Sequence, residues 1–164
     1  MLFRSLLVCM VMLVACRGDY RRAQWHYNIV VVQYNTIVEV TERLEMGFGD
    51  TASYRAVNEK MDSLEMLLKR LKSTVDTLSL PDEDERVKQS IQHWSTIMQD
   101  EILPLYQSKI DLWKMMHVQQ SSQDDMRIKQ MTAEIEKKKT MLNDELMPVL
   151  EDFVSDYKLS YRPQ

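Results

Sequence analysis

The stretch YRAVNEKMDSLEMLLKRLKSTVDTL, residues 54–78, decides the fold class. Its apolar side chains recur in alternating steps of three and four residues, at Tyr54, Val57, Met61, Leu64, Leu68, Leu71, Val75 and Leu78. This spacing lines one face of a helix with apolar side chains, which is the pattern of a helix packed in a bundle. The stretch therefore predicts one long amphipathic helix in an all-α protein.

Three further segments repeat this helical spacing of apolar residues. The first contains Tyr27, Val30, Tyr34, Ile37, Thr41, Leu44 and Phe48; the third contains Val87, Ile91, Trp94, Met98, Ile102, Tyr106, Ile110 and Trp113; the fourth contains Ile128, Met131, Ile135, Leu142, Leu146, Val149, Phe153 and Tyr157. Turn-forming residues separate the segments, and short connections favour antiparallel neighbours. The sequence thus predicts an antiparallel up-down four-helix bundle over residues 20–160, followed by a tail at residues 161–164.

The third and fourth helices are long, and each contains a proline. Pro104 lies where the apolar positions shift, after Met98, and Pro148 lies within the fourth helix. Because proline lacks an N–H and presses on the preceding turn, the sequence predicts a kink in both helices. The similar segments DEILPL (100–105) and DELMPV (144–149) leave a duplicated helical hairpin open as an alternative.

The first residues, MLFRSLLVCMVMLVAC, have the layout of a signal peptide. Arg4 precedes an apolar stretch that is shorter than the ~20 residues a membrane span needs but suits a secretory signal. The stretch ends Leu13-Val14-Ala15-Cys16, which resembles the lipobox of bacterial lipoproteins. The resemblance implies cleavage before Cys16 after a diacylglyceryl group has been joined to its sulfur. The alternative is an ordinary signal peptide with a chance cysteine.

This resemblance divides the chain into a signal peptide at residues 1–15 and a lipidated anchor with a short tether at residues 16–19. Cys9 would be removed with the signal and Cys16 would become a thioether, which leaves no thiol for a disulfide or metal cluster. Loss of Arg4 would change the formal net charge from −4 to −5, and an acidic chain argues against a nucleic-acid partner. The residue after the lipidated cysteine is Arg17 and not an aspartate. By the usual sorting rule of two-membrane bacteria, the resemblance then implies the outer membrane and not the inner membrane.

The residues that could carry chemistry form no known catalytic pattern. None of His26, His93 and His117 has an acidic residue three positions earlier, which excludes the Glu-x-x-His pattern of di-iron bundles. Hydrolase, nucleotide-binding and zinc-protease motifs are absent from the sequence. We therefore expect neither an enzyme, nor a metal site, nor a cofactor. A haem- or metal-carrying bundle is the alternative, although methionine at apolar positions usually serves packing.

Two groups of residues are candidates for contact with a partner. Tyr27 and Tyr34 are seven residues apart, and Asn28 and Asn35 follow them, so that tyrosines and asparagines form two ladders along one helix. These ladders could bind a peptide or glycan, or could be part of the bundle packing. Phe48, between two glycines, either caps the core or is an exposed anchor for a partner.

Together these features predict a membrane-anchored envelope or surface lipoprotein that acts as a non-catalytic binding or structural module. The protein is similar in layout to small helical-bundle surface lipoproteins of bacteria. Its expected partners are the lipid bilayer, through acylated Cys16, and an envelope or surface protein.

Overall fold

The computed structural model describes residues 2–48, 53–78, 85–116 and 122–159, with side chains from Tyr20 onward in α1 and from Gln123 onward in the last range. The elements are α1 (Leu2–Met46), α2 (Tyr54–Asp76), α3 (Glu85–Ile97), a π-helical segment (Met98–Ile102), α4 (Leu103–Met116) and α5 (Ser122–Tyr157). The π segment joins α3 to α4 without a break. The described residues therefore form four long helices and no strand, which confirms the all-α class and the number of helices.

The boundary between α1 and α2 follows the local sequence. The Gly47 N–H donates to the Leu44 carbonyl at 3.0 Å, and a Cβ at Gly47 would lie only 3.1 Å from that same oxygen. The Ser53 side chain then accepts a hydrogen bond from the Ala56 N–H at 3.2 Å and caps the start of α2. Gly47 thus follows the end of α1, and a serine cap begins α2.

The third helix changes its hydrogen-bonding pattern at the predicted shift in apolar positions. The Leu103 N–H donates to the Met98 carbonyl, five residues earlier, in place of the four-residue step of an α-helix. Pro104, which has no N–H to donate, follows immediately. The apolar residues on both sides of the π segment remain buried, from Val87 before it to Trp113 after it.

The hydrophobic core runs along the inner faces of all four helices. The positions predicted for the second helix are buried from Val57 to Leu78, which follows the end of α2, and Tyr54 at the start of α2 is half-buried. The core also contains polar residues, of which His26 and Lys109 were not expected from the apolar spacing. Thr41 is satisfied within its own helix, because its hydroxyl donates to the Ile37 carbonyl at 2.7 Å.

The backbone of α1 is helical from Leu2, through the residues assigned above to the signal peptide and tether. The Cys16 side chain and the tail at residues 161–164 lie outside the described residues, so the predictions made for them stay predictions. Across the part of the chain that the structure describes, every helix is too short or too polar to cross a membrane.

Candidate functional site: a groove between the first and last helices

Two clefts follow one another along α1 and α5. The cleft beside residues 27–35 of α1, which we call the lower cleft, has a volume of about 320 Å³. Its lining residues are Tyr27, Val31, Tyr34 and Asn35 on α1 and Met147, Leu150, Glu151, Val154 and Ser155 on α5. Apart from Asn35, Glu151 and Ser155, these side chains are apolar or aromatic. The lower cleft is therefore an apolar trough with polar groups at its rim.

The upper cleft is smaller, about 210 Å³, and more polar. Its lining residues are Ile37, Val38, Thr41 and Glu42 on α1, Glu136, Lys139, Thr140 and Asn143 on α5, and Trp94 and Met98 from the third helix. We call the two clefts together the α1–α5 groove.

Asn143 joins three helices at the point where the two clefts meet. Its Oδ1 accepts hydrogen bonds from the Tyr34 hydroxyl at 3.1 Å and from the Trp94 indole N–H at 3.2 Å. The rings of Tyr34 and Trp94 also pack against each other, with centroids 5.3 Å apart. Burial raises the pKa of Tyr34 above its ordinary value, so this hydroxyl stays protonated and remains a donor.

A cluster of charged side chains lies between α1, α4 and α5, at the far end of the upper cleft. Glu45 accepts hydrogen bonds from the Tyr106 hydroxyl and, at 2.8 Å, from the Lys139 ammonium, which also contacts Glu136 at 2.9 Å. Burial, followed by the contact with Glu45, raises the pKa of Tyr106. Burial alone would raise the pKa of Glu45, but the bonds from Lys139 and Tyr106 bring it below the ordinary value. The cluster thus favours a charged Glu45 and a neutral Tyr106.

Phe48 lies beyond this cluster and packs inward. Its ring meets that of Trp113 edge to face, with centroids 5.8 Å apart, and the Lys109 ammonium lies 4.2 Å from the centre of the Phe48 ring. Lys109 is only 5% exposed, and its burial lowers the pKa of its ammonium. Phe48 therefore covers a buried cation and one edge of the core, which is the geometry of a cap.

Replacing Phe48 with alanine is expected to lower the free energy of unfolding by about 1–2 kcal/mol, less than for a fully buried aromatic residue because Phe48 is half-buried. Urea denaturation measures the change. Met46→Ala is the matched control, since Met46 is 74% exposed in the same turn. If Phe48→Ala has the same free energy of unfolding as Met46→Ala but binds its partner more weakly, Phe48 is an anchor and not a cap.

The structure brings together some of the candidate contact residues but not all of them. Tyr27, Tyr34 and Asn35 share the lower cleft. Asn28 instead accepts a hydrogen bond from Gln24 at 3.0 Å on its own helix, and Phe48 packs at the far end. The tyrosine ladder is thus part of the groove, and the asparagine ladder contributes only Asn35.

Sequence reasoning missed the residues that complete the groove on the other helices. Asn143 directly follows the apolar position Leu142, and Lys139 lies among several lysines on α5. The lone amide of Asn143 beside an apolar position is a signal that could have been noticed. The two groups that donate to Asn143, however, lie on helices about 50 and 110 residues away in the sequence, and spacing along one helix does not reveal them.

A third cleft, about 480 Å³, lies between the third helix and α5. Its rim carries charges of both signs that already pair with each other, with Lys138 2.5 Å from Glu101 and His93 3.6 Å from Glu145. These contacts hold α5 against the third helix. The lower cleft of the α1–α5 groove has more apolar walls, which makes this groove the better candidate for a binding site.

Metal and haem binding were the alternatives raised by the sequence. Within the described residues, no three His, Cys, Asp or Glu side chains are grouped so that they could hold a metal ion. His26 is buried beside Trp25, with ring centroids 5.0 Å apart, whereas His93 is exposed and faces Glu145. These two histidines line different clefts, and His117 lies outside the described residues.

Comparison of the chain with models of protein families, with curated proteins and with solved structures finds no match.

Proposed function

We propose that this protein is a lipid-anchored envelope or surface lipoprotein that serves as a non-catalytic binding or structural module. The observation that carries the binding role is the α1–α5 groove, whose lower cleft exposes apolar and aromatic walls to solvent. The lipobox-like sequence ending at Cys16 supports the anchor, and Arg17 supports the outer membrane as its location. The sequence also contains no known hydrolase, nucleotide-binding or zinc-protease motif.

We also propose that the four helices form an antiparallel up-down bundle. The order of paired residues supports this arrangement, because contacts between α3 or the π segment and α5 run in opposite directions along the chain. These contacts are Arg86–Asp152 at 3.5 Å, His93–Glu145 at 3.6 Å and Glu101–Lys138 at 2.5 Å. Between α1 and α2, the pairs Arg43–Lys60 and Gln33–Thr74 follow the same reversed order. Kinks at Pro104 and Pro148 belong to this proposal, with support from the π segment that precedes Pro104.

The anchor then fixes which end of the bundle lies at the membrane. His26, Leu78, Val87 and Phe153 line one small cavity, so the start of α3 and the end of α5 lie beside the part of α1 that is closest to Cys16. Phe48 and its partner Trp113 lie at the opposite end. The lower cleft of the groove is accordingly the one nearer to the bilayer.

Metabolic labelling with a palmitate analogue tests the anchor. The wild-type chain is expected to take up label and the Cys16→Ala variant to take up none, because the acyl chains would be joined through the Cys16 sulfur. Cys9→Ala is the matched control and should be labelled like the wild type, since Cys9 would leave with the signal peptide. Equal labelling of Cys16→Ala and wild type contradicts the proposal.

A further inference from the structure

We propose that the α1–α5 groove binds an amphipathic helix of a partner protein, and that this helix carries lysine or arginine residues along the flanks of its apolar face. The proposal rests on the proposed function, because it names the class of segment that the binding module would hold.

The dimensions of the groove fit a helix. From Tyr27 to Glu42 the two clefts follow α1 over 16 residues, and the 15 steps between the first and the last rise about 22 Å at 1.5 Å per residue. A partner helix of roughly 15 residues has the same length. Two neighbouring helices also present the ridges and grooves against which a third helix packs.

The walls of the lower cleft suit apolar side chains from such a helix. Val31 and Val154 are half-buried, and Met147 is 40% exposed, so an occupant would remove further apolar surface from water. Helix-in-groove recognition uses apolar anchors spaced three or four residues apart. This surface offers few polar groups to a glycan, and we therefore favour a peptide.

The charges at the rim of the groove determine which charge suits the flanks of the occupant. Glu42 in the upper cleft and Glu151 in the lower cleft are exposed, and among the described residues no basic side chain pairs with either. Lys139 is the basic residue that lines the two clefts of the α1–α5 groove, and Glu45 and Glu136 already neutralise it. The groove therefore has an excess of negative charge at its rim, which complements a basic flank on the occupant.

Site-specific photo-crosslinking in the cell that produces the protein tests this proposal on the full chain. A benzoylphenylalanine replaces Ser155 at the lower cleft or Thr140 at the upper cleft; both positions are exposed. The matched control position is Ser73, which is exposed on α2. We expect both groove positions, and not Ser73, to crosslink one partner. Sequencing of the crosslinked peptide should reveal apolar residues at helical spacing flanked by lysine or arginine.

Charge reversal provides the second measurement. The double variant Glu42→Lys/Glu151→Lys is expected to reduce the crosslinking yield roughly tenfold, because it places like charges against the basic flank. The control Asp62→Lys/Asp111→Lys makes the same change of net charge at exposed positions on α2 and α4 and should leave the yield unchanged.

Four results would overturn the proposal: a crosslinked product at twice the mass of the chain, which indicates a second copy; an acidic or non-helical crosslinked segment; an equal yield from Ser73; or no crosslink from either groove position. Crosslinks from Ser73 alone, with Cys16 acylated, would remove the groove proposal and leave the proposed function standing. Groove crosslinks in a chain that takes up no acyl label would remove the anchor and leave the groove proposal standing.

Discussion

Leu64→Ala is expected to lower the free energy of unfolding by about 2–5 kcal/mol, the range for removing a fully buried leucine side chain. Leu64 is 0% exposed and lies in the middle of α2, between the buried residues Met61 and Leu68. The substitution removes apolar contacts and leaves a cavity that neighbouring helices can fill only in part. Urea denaturation followed by the helical circular dichroism signal measures the loss.

Met66→Ala is the matched control for this substitution. Met66 lies two residues away on the same helix but is 64% exposed, and alanine is at least as good a helix former as methionine. We expect a change within about 0.5 kcal/mol, as for other surface substitutions. Similar losses in both variants would mean that α2 does not present the Leu64 face to the core.

Glu45→Gln is expected to lower the free energy of unfolding by about 2 kcal/mol at pH 7, the magnitude for losing hydrogen bonds to a charged group. Glu45 accepts from both Tyr106 and Lys139, and the variant leaves the partly buried Lys139 with Glu136 alone. The matched control is Glu39→Gln on the same helix. Glu39 forms an exposed pair with Arg43, and such pairs contribute about 0.5 kcal/mol or less.

The effect of Glu45→Gln should depend on pH. Although burial opposes it, hydrogen bonding to Lys139 and Tyr106 lowers the pKa of Glu45 in the folded protein. A lowered pKa contributes stability that is fully present above the ordinary carboxyl pKa, about 4.3, and is lost as the pH falls through the lowered value. The wild type and the variant should therefore differ most at neutral pH and converge as the pH falls through the lowered pKa of Glu45. A difference that is constant from pH 7 to pH 3 would show that the charge of Glu45 contributes nothing.

The helices and their inner faces could be predicted from the sequence because each depends on local spacing. All eight apolar positions assigned to the third helix are buried, including those after the shift at Met98. In α5 the spacing predicted Leu142 and Leu146 correctly but missed Leu150. Leu150 lies toward the side of α5 that faces α1. Burial on that side depends on the neighbouring helix and not on the spacing of apolar residues along α5.

The groove could be predicted only in part. The seven-residue repeat of tyrosines places Tyr27 and Tyr34 on one side of α1, and both line the lower cleft. No pattern within α1 indicates that Asn143 accepts a hydrogen bond from the Tyr34 hydroxyl, because this contact depends on how α1 and α5 pack. Lys109 was missed for the same reason: a lysine next to apolar positions resembles a surface residue until Phe48 covers it.

The π segment is the place where the third helix can lose one residue without turning its later residues away from the core. Its wide turn holds one residue more than an α-helical turn, so it rotates everything that follows by about 100°. Deleting Gln99 would remove that residue and let the helix continue with Tyr106 and Trp113 still facing inward, whereas deleting Ser108 would turn Trp113 away from the core. An uninterrupted α-helix would also press the ring of Pro104 against the carbonyl of Asp100. The extra residue removes this clash at Pro104, whereas α5 holds Pro148 without a π turn.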